Sequence, residues 1–249
     1  MDSPEVVTQS EWLEMRKALL AKEKEFTRLR DELSADRRRL PMVEIEKDYR
    51  FVGADGEVGL ADLFEGRGQL LIYHFMWLAE QHAGCPSCSY LVDNIGHLSH
   101  LHARDTTLAL VSRGPFGDLE DYRRRMGWNI PWYSSLGSDF NYDFHVTVDG
   151  DVAPVEYNYR DGADLTRRDP AWQDWKGELP GTSAFLREGD RVFHTYSSYA
   201  RAGDTLIGTY NWHDLTARGR QEKWEQPPGR NDGSGGMEWL RRHDEYPAL

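Results

Sequence analysis

The chain has 249 residues, 39% of them hydrophobic and 12% aromatic, with a formal net charge of −12. That size suits one large domain with additions or two small ones, and the acidity argues against nucleic acid or an anionic membrane as a partner. No apolar stretch approaches a membrane span, the opening MDSPEVVTQSEW lacks the basic and apolar regions of a secretory leader, and two cysteines are too few to staple a secreted domain, so a cytoplasmic location is expected.

Residues 8–40 are predicted to form one charged helix. Thr8-Gln9-Ser10-Glu11 fits a capping box, Arg37-Arg38-Arg39 suits the negative end of the dipole, and Pro41 stops the helix. Trp12, Leu19, Phe26 and Leu33 recur every seven residues, with Met15 and Leu29 between them, which is a seam at coiled-coil spacing. Lys22 and Asp36 interrupt its second row. The helix either lies along its own domain or makes a homodimer contact; four large apolar groups on so polar a segment favour the dimer. Residues 1–42 are therefore separated from a main domain over 43–215. That domain opens with a hairpin through Tyr49-Arg50-Phe51-Val52 and Ala54-Asp55-Gly56-Glu57 and a helical turn over 60–64.

Leu70 to Trp77 is a continuous apolar run that fits a strand buried on both faces, interrupted by His74. Cys85-Pro86-Ser87-Cys88 follows a short polar loop, and Leu91, Ile95, Leu98 and Leu101 then make one helical stripe. Cys85 falls at the expected N-cap and Pro86 at the first helical position, where a missing N–H costs nothing. The first-turn N–H groups would then face the Cys85 sulfur and favour its thiolate, while Cys88, one turn in, would be sheltered. An exposed attacking thiol and a buried resolving thiol result, with Trp77 and His82 as flanking support. Two other readings stay open: two inert thiols, or a zinc site completed by His82 and one distant histidine.

Thr106 to Ser112 reads as a second buried strand, ended by Arg113-Gly114-Pro115, and Asp118 to Met126 as a helix closed by Gly127. A right-handed parallel crossover covers the sheet on both sides. Residues 128–180 form an aromatic-rich insertion, expected as a subcore over the sheet with part of its wall lining a pocket near the cysteines. His145 is read as the start of a short strand. Thr182 to Arg187 and Val192 to Ser198 make an antiparallel hairpin, and Ala202 to Tyr210 a weak helix. In the C-terminal part, 216–249, residues 225–236 form a linker and Met237 to Tyr246 a short amphipathic helix docked through its tryptophan.

The resulting order resembles an α/β, thioredoxin-like fold: a mixed central sheet flanked by helices, carrying an N-terminal helix, an aromatic insertion and a C-terminal tail. Tyr73-His74-Phe75-Met76, Gly84-Cys85-Pro86-Ser87-Cys88-Ser89, Val111-Ser112-Arg113, Arg125-Met126-Gly127-Trp128, the stretch Gly137 to Phe144 and His243-Asp244-Glu245-Tyr246 are similar to a thioredoxin-like family known only as domain of unknown function 899. The resemblance implies the fold and little else, since the family has no settled activity; the helix-start position of the cysteine pair points to a thiol–disulfide or peroxide-type oxidoreductase, with Cys85 attacking, Cys88 resolving and no cofactor. Its substrate would be a disulfide, a peroxide or another small molecule. By the same likeness Gly181-Thr182-Ser183 takes the turn beside the reactive sulfur, with Ser183 where thioredoxins carry a cis-proline; a non-proline cis bond costs about 3 kcal/mol, so a trans bond is expected. Relative to peroxiredoxins, His82 and Leu78 stand where a threonine and a proline belong, leaving His82 as an unusual base or donor. Arg113, at the mouth of the neighbouring strand, would supply positive charge to the thiolate. The competing classes are a metal- or ligand-binding module without turnover and a scaffold with a vestigial redox centre, dimerised through the N-terminal helix and the tail.

Overall fold

A computed structural model describes residues 4–226, 229 and 236–247. Helix α1 runs from Gln9 to Arg39, where its caps place it: Glu11 N–H donates to Thr8 Oγ1 at 3.3 Å, and Thr8 N–H donates to the Glu11 carboxylate at 2.9 Å. None of its residues is buried. The chain then forms β1 (Val43–Glu44), the hairpin β2 (Arg50–Gly53) and β3 (Gly56–Gly59), a 3-10 turn at Asp62–Phe64, and β4 (Gln69–His74). A two-strand ribbon, β5 (Trp77–Leu78) and β6 (Ala83–Gly84), leads to α2 (Pro86–Asp93), α3 (Ser99–His102), β7 (Thr106–Ser112), α4 (Phe116–Arg125) and β8 (Trp132–Ser134). The insertion contributes α5 (Phe140–Asp143), β9 (Thr147–Val148), β10 (Glu156–Tyr157), β11 (Arg160–Asp161), α6 (Gly162–Arg168) and β12 (Gly177–Glu178), and the chain closes with β13 (Gly181–Glu188), β14 (Arg191–Tyr199) and α7 (Gly208–Asp214).

Eight strands form the central sheet in the order β1-β14-β13-β4-β7-β8-β2-β3. β4, β7 and β8 are parallel, and the remaining pairings are antiparallel. This mixed sheet, with its strand–CxxC–helix–strand–helix–strand half followed by the β13–β14 hairpin, is the thioredoxin-like α/β arrangement. Period-two alternation sorts the core onto two faces. Tyr73, Leu108 and Leu110 face the cysteine side with Leu119, Tyr122, Trp128 and Trp132; Leu70, Ile72, Ala109 and Val111 face the other side with Phe51, Phe64, Phe140 and Phe185. Burying each such Leu or Phe contributes roughly 1.5–3 kcal/mol, so β4 and β7, covered on both faces, anchor the domain.

Several boundaries differ from expectation. The buried strand ends at His74 rather than Trp77, because after Phe75 N–H meets Val111 C=O the chain turns into the ribbon. The cysteine helix stops at Asp93. Asn94 Nδ2 donates to Tyr90 C=O at 2.7 Å, and its Oδ1 accepts from the N–H and hydroxyl of Thr209. The stripe nevertheless survives: Leu91 from α2, Leu101 from α3, and Ile95 and Leu98 from the segment between them pack on one cluster. β8 was not anticipated, since three residues carry too little pattern. His145 lies outside β9, in the left-handed region at φ 53°. The expected helix over 202–210 is a 3-10 segment, Ala200–Leu206, followed by α7. Among its described residues the tail holds a 3-10 turn at His243–Glu245 in place of the expected helix, with some polar groups bonded to the body, as Met237 N–H and the Trp239 indole to Glu222 and His243 to Asp93, and others within the tail, as Arg242 to Glu245. Most of the expected linker over 225–236 lies outside the described residues.

The insertion divides between the two faces. Trp128 and Trp132 join the cysteine side, while Phe140, Phe144 and Tyr157 pack on the opposite side. Among the described residues, no helix is long and apolar enough to cross a membrane.

Candidate active site

Cys85 is delivered by backbone. Its N–H donates to Met76 C=O at 3.1 Å, and its own C=O accepts from the N–H and hydroxyl of Ser89, each at 2.9 Å. Gly84, just before it, has no room for a side chain: a Cβ there would meet the rings of Phe75 and Tyr122 at 2.6–2.8 Å. The Gly84 C=O accepts two N–H groups from Arg242, at 3.0 and 2.7 Å. Cys85 occupies the N-cap of α2 with φ −59° and ψ 133°, and Pro86 opens the helix.

Both cysteines are free thiols, Cys85 half-buried and Cys88 buried. The Cys88 thiol, within hydrogen-bonding reach, is the largest influence holding the Cys85 thiol down to about 5; burial opposes it, and the Ser87 hydroxyl and the N–H groups of Cys88 and Ser87 reinforce it. Ser87 Oγ lies 3.1 Å from the Cys85 sulfur. Burial first, and then the adjacent Cys85, push the Cys88 thiol well above its ordinary value. Tyr73, buried on β4, reaches Cys88 with its hydroxyl; burial and the neighbouring sulfurs push that phenol up. The two thiols are therefore pushed in opposite directions, the half-buried Cys85 down and the buried Cys88 up.

A cavity of about 240 Å³ opens beside Ser87, walled by Tyr73, Leu91, Thr182, Tyr199 and Tyr210, with Met237 at its edge. Its aromatic wall comes from β4, β14 and α7; from the insertion over 128–180 Pro180 lines it and none of the insertion's aromatic side chains does, contrary to the expectation that part of the aromatic wall would. Tyr157 supports it from behind by donating to Pro180 C=O at 3.0 Å.

The structure brings Cys85, Pro86, Cys88 and Thr182 to this place. Thr182 stands opposite Tyr73 in the β13–β4 register and lines the cavity. Ser183, one residue on, points to the other face, as alternation requires. It is buried there against His74 Nε2 and Ser197 Oγ, both at 2.8 Å, so it does not pack on the reactive sulfur. Pro180 is the proline in the cavity wall. Arg113 also turns away: it contacts Glu178 Oε1 at 3.4 Å and Tyr142 Oη at 3.3 Å, with its guanidinium over the Tyr142 ring. His82 is exposed, in the left-handed region at φ 46°, and pairs with Asp118 at 3.1 Å. Trp77 is buried beneath the site, packed 5.7 Å from Tyr122 and against Gly114, where a Cβ would come within 2.7 Å of the indole. Among the described residues no three His, Cys, Asp or Glu side chains converge as a metal site.

Four contributors escaped the sequence reading: Tyr73, Ser87, Pro180 and Arg242. Ser87 was visible within the CxxC itself. Tyr73 was hidden in an apolar run, and Arg242 lies in a tail with no local signal of where it docks. That tail packs on its own chain: Leu240 is buried, Trp239 meets Tyr90 edge-on at 5.7 Å, His243 bonds Asp93 at 2.8 Å and Arg125 clasps Asp244 at 2.7 and 2.9 Å.

A family model described as bacterial protein of unknown function (DUF899) matches residues 1–246. The chain belongs to this family. No curated protein matches it. Among solved structures, a mutant of peroxiredoxin Q from Xanthomonas campestris is similar at 14% identity with a TM-score of 0.46, covering 70% of this chain and 98% of its own. Peroxidoxin BcpB from Mycobacterium tuberculosis is similar at 12% identity with a TM-score of 0.44, covering 68% of this chain and 95% of its own.

Proposed function

We propose that this DUF899 chain is a thiol–disulfide oxidoreductase in which Cys85 attacks and Cys88 resolves. The observation that carries the reading is the half-buried Cys85 sulfur at the start of α2, beside a buried second thiol. The Cys85 thiolate attacks one sulfur of a disulfide substrate. The substrate S–S bond breaks, one thiolate leaves with the bonding pair, and a mixed disulfide forms on Cys85. Cys88 then gives up its proton and attacks the Cys85 sulfur; the second substrate thiol departs and a Cys85–Cys88 disulfide remains. The substrate has gained two electrons and two protons, and an external dithiol resets the pair. Tyr73, whose hydroxyl reaches Cys88, is placed to accept hydrogen-bonding from or lend it to that thiol as it deprotonates. The cavity beside Ser87, with Tyr73, Tyr199 and Tyr210 in its wall, offers room for the group attached to the attacked sulfur.

The second reading is hydroperoxide reduction at the same sulfur. Cys85 would take the distal oxygen as sulfenic acid while the O–O bond breaks and an alcohol leaves, and Cys88 would then displace water. Ser87, 3.1 Å from the sulfur, favours it as a donor to the departing oxygen. Arg113, committed to Glu178 and Tyr142, supports the disulfide reading instead.

The test is alkylation of the reduced protein across pH, followed by mass spectrometry at each cysteine. Modification of Cys85 is expected to rise with a midpoint near 5 while Cys88 stays unmodified. A Cys85 midpoint at the free-thiol value, about 8.5, would overturn the assignment. Reaction of the Cys88→Ser variant with a small aromatic disulfide and, separately, with an alkyl hydroperoxide then distinguishes the two readings by the adduct left on Cys85.

A further inference from the structure

We propose that α1 pairs with the α1 helix of a second copy of this chain as a parallel, in-register two-stranded coiled coil. Placing Trp12, Leu19, Phe26 and Leu33 at the heptad's first core position, a, puts Met15 and Leu29 at the second, d, and Leu40 continues the first row. All of these side chains are half or more exposed in the single chain, although α1 is about 46 Å long by helical rise. An apolar stripe of that length facing water, broken in its second row by Lys22 and Asp36, marks an interaction surface. The half-buried residues in the last turns of α1, Ser34 and Ala35, take positions b and c, on the side of the helix away from the stripe. The a and d side chains are therefore left open by the chain that carries them, while Arg37, at e, lies over the Tyr196 ring of its own chain at 5.4 Å and would exchange that contact for Glu32 of the second copy.

Charge selects both the occupant and its direction. From Glu11 onward, position g holds Glu11, Ala18, Glu25, Glu32 and Arg39, and position e holds Arg16, Glu23, Arg30 and Arg37. In a parallel pair, each g residue meets the e residue five places further along the other helix. Glu11 would meet Arg16 of the second copy, Glu25 would meet Arg30 and Glu32 would meet Arg37. An antiparallel pair sets g against g, a row in which three of five residues are Glu, and e against e, a row in which three of four are Arg, so like charges would predominate on each side. The two polar residues that break the core row fit the same arrangement. A d residue lies beside the opposite e residue, so Lys22 would adjoin Glu23 and Asp36 would adjoin Arg37. Within one chain Arg16 bonds Glu23 at 2.8 Å, and pairing exchanges that exposed contact for one across the seam. Both Thr8 cap bonds use Glu11 Oε2, which leaves Oε1 to face the second helix. A seam complementary to itself in one direction is the signature of a second copy.

The experiment uses the full chain in light scattering at micromolar concentration. The natural protein is expected at the mass of two chains, and the Leu19→Asp/Phe26→Asp variant at the mass of one, with an unchanged pH midpoint of Cys85 alkylation because no seam residue is buried in the fold. A single-chain mass for the natural protein, including one that pairs only with a different helical protein, overturns the proposal, as does a two-chain mass that survives the double substitution. Direction is tested with Met15→Cys in a Cys85→Ser/Cys88→Ser background. Mild oxidation should convert the dimer almost wholly to a covalent one, and a dimer that stays uncrosslinked overturns the parallel arrangement. Glu25→Arg/Glu32→Arg and Arg30→Glu/Arg37→Glu should each fall to one-chain mass alone and recover two-chain mass when mixed. Failure to recover overturns the charge assignment.

Discussion

The two ends of the chain reverse the usual relation between regularity and integration. α1 is a 31-residue capped helix with no buried side chain. The described tail holds one three-residue 3-10 turn, yet buries Leu240 and places Arg242 on the carbonyl that precedes Cys85. α1 owes its form to i to i+4 bonds, a capping box and helix-forming residues, all local in the sequence. The tail owes its form to partners far away in the chain: Glu222 accepts Met237 N–H and the Trp239 indole, Asp93 accepts His243 and Arg125 holds Asp244. An element can be regular without being part of the domain, and integral to it without being regular.

That contrast can be broken by deletion. Removing residues 1–40 is expected to leave thermal stability and Cys85 reactivity unchanged, whereas removing 237–249 should cost several kcal/mol, from lost apolar burial and lost charged hydrogen bonds, measured by urea unfolding. If the truncated protein does not fold, Leu240→Ala keeps the comparison open, with an expected loss of about 2–4 kcal/mol. Arg242→Ala sharpens it further. Loss of two charge-assisted bonds to the Gly84 carbonyl should cost about 1–3 kcal/mol and raise the pH midpoint of Cys85 alkylation, since Gly84 leads directly into the N-cap; an unchanged midpoint would separate the tail from the site. Trp12→Ala, on the other side of the comparison, should change the stability of the folded domain by less than about 0.5 kcal/mol.

A pH series tests whether the polarised sulfur contributes to stability. Cys85 has a folded value near 5, below that of a free thiol near 8.5. The folded state therefore binds fewer protons between these values, and stability from this group rises with pH across that window, is complete above it and is lost as pH falls through 5. Cys88 acts oppositely: held well above its ordinary value, it favours the folded state below the free-thiol value and withdraws that contribution at higher pH. Under reducing conditions, Cys85→Ser should flatten the rise between pH 5 and 8.5 in denaturant midpoints.

Much of the site was legible because its signals are local. A buried apolar run, a cysteine at an N-cap and a proline at the first helical position specify their own geometry, and the structure places β4, Cys85 and Pro86 accordingly. The β13–β14 hairpin followed from two strand-forming runs about a glycine turn. Ser183 was misplaced because the facing of a strand residue depends on register, and a shift of one residue exchanges the two faces. Arg113 was misplaced because a long flexible cation goes to whichever carboxylate the fold brings near. That was Glu178 on a strand of the insertion, which the sequence alone could not position.

The sequence by itself determined where α1, α2 and the buried strands β4 and β7 begin, that Cys85 takes the N-cap with Cys88 one turn in, and the apolar seam of α1, because each depends on residues within a few turns of one another. Only the tertiary structure decided which face Ser183 and Thr182 take, where the cysteine helix is interrupted by Asn94 binding Thr209, and that the tail closes on Gly84. Those outcomes depend on groups brought together across the whole chain, where no short-range pattern records the encounter.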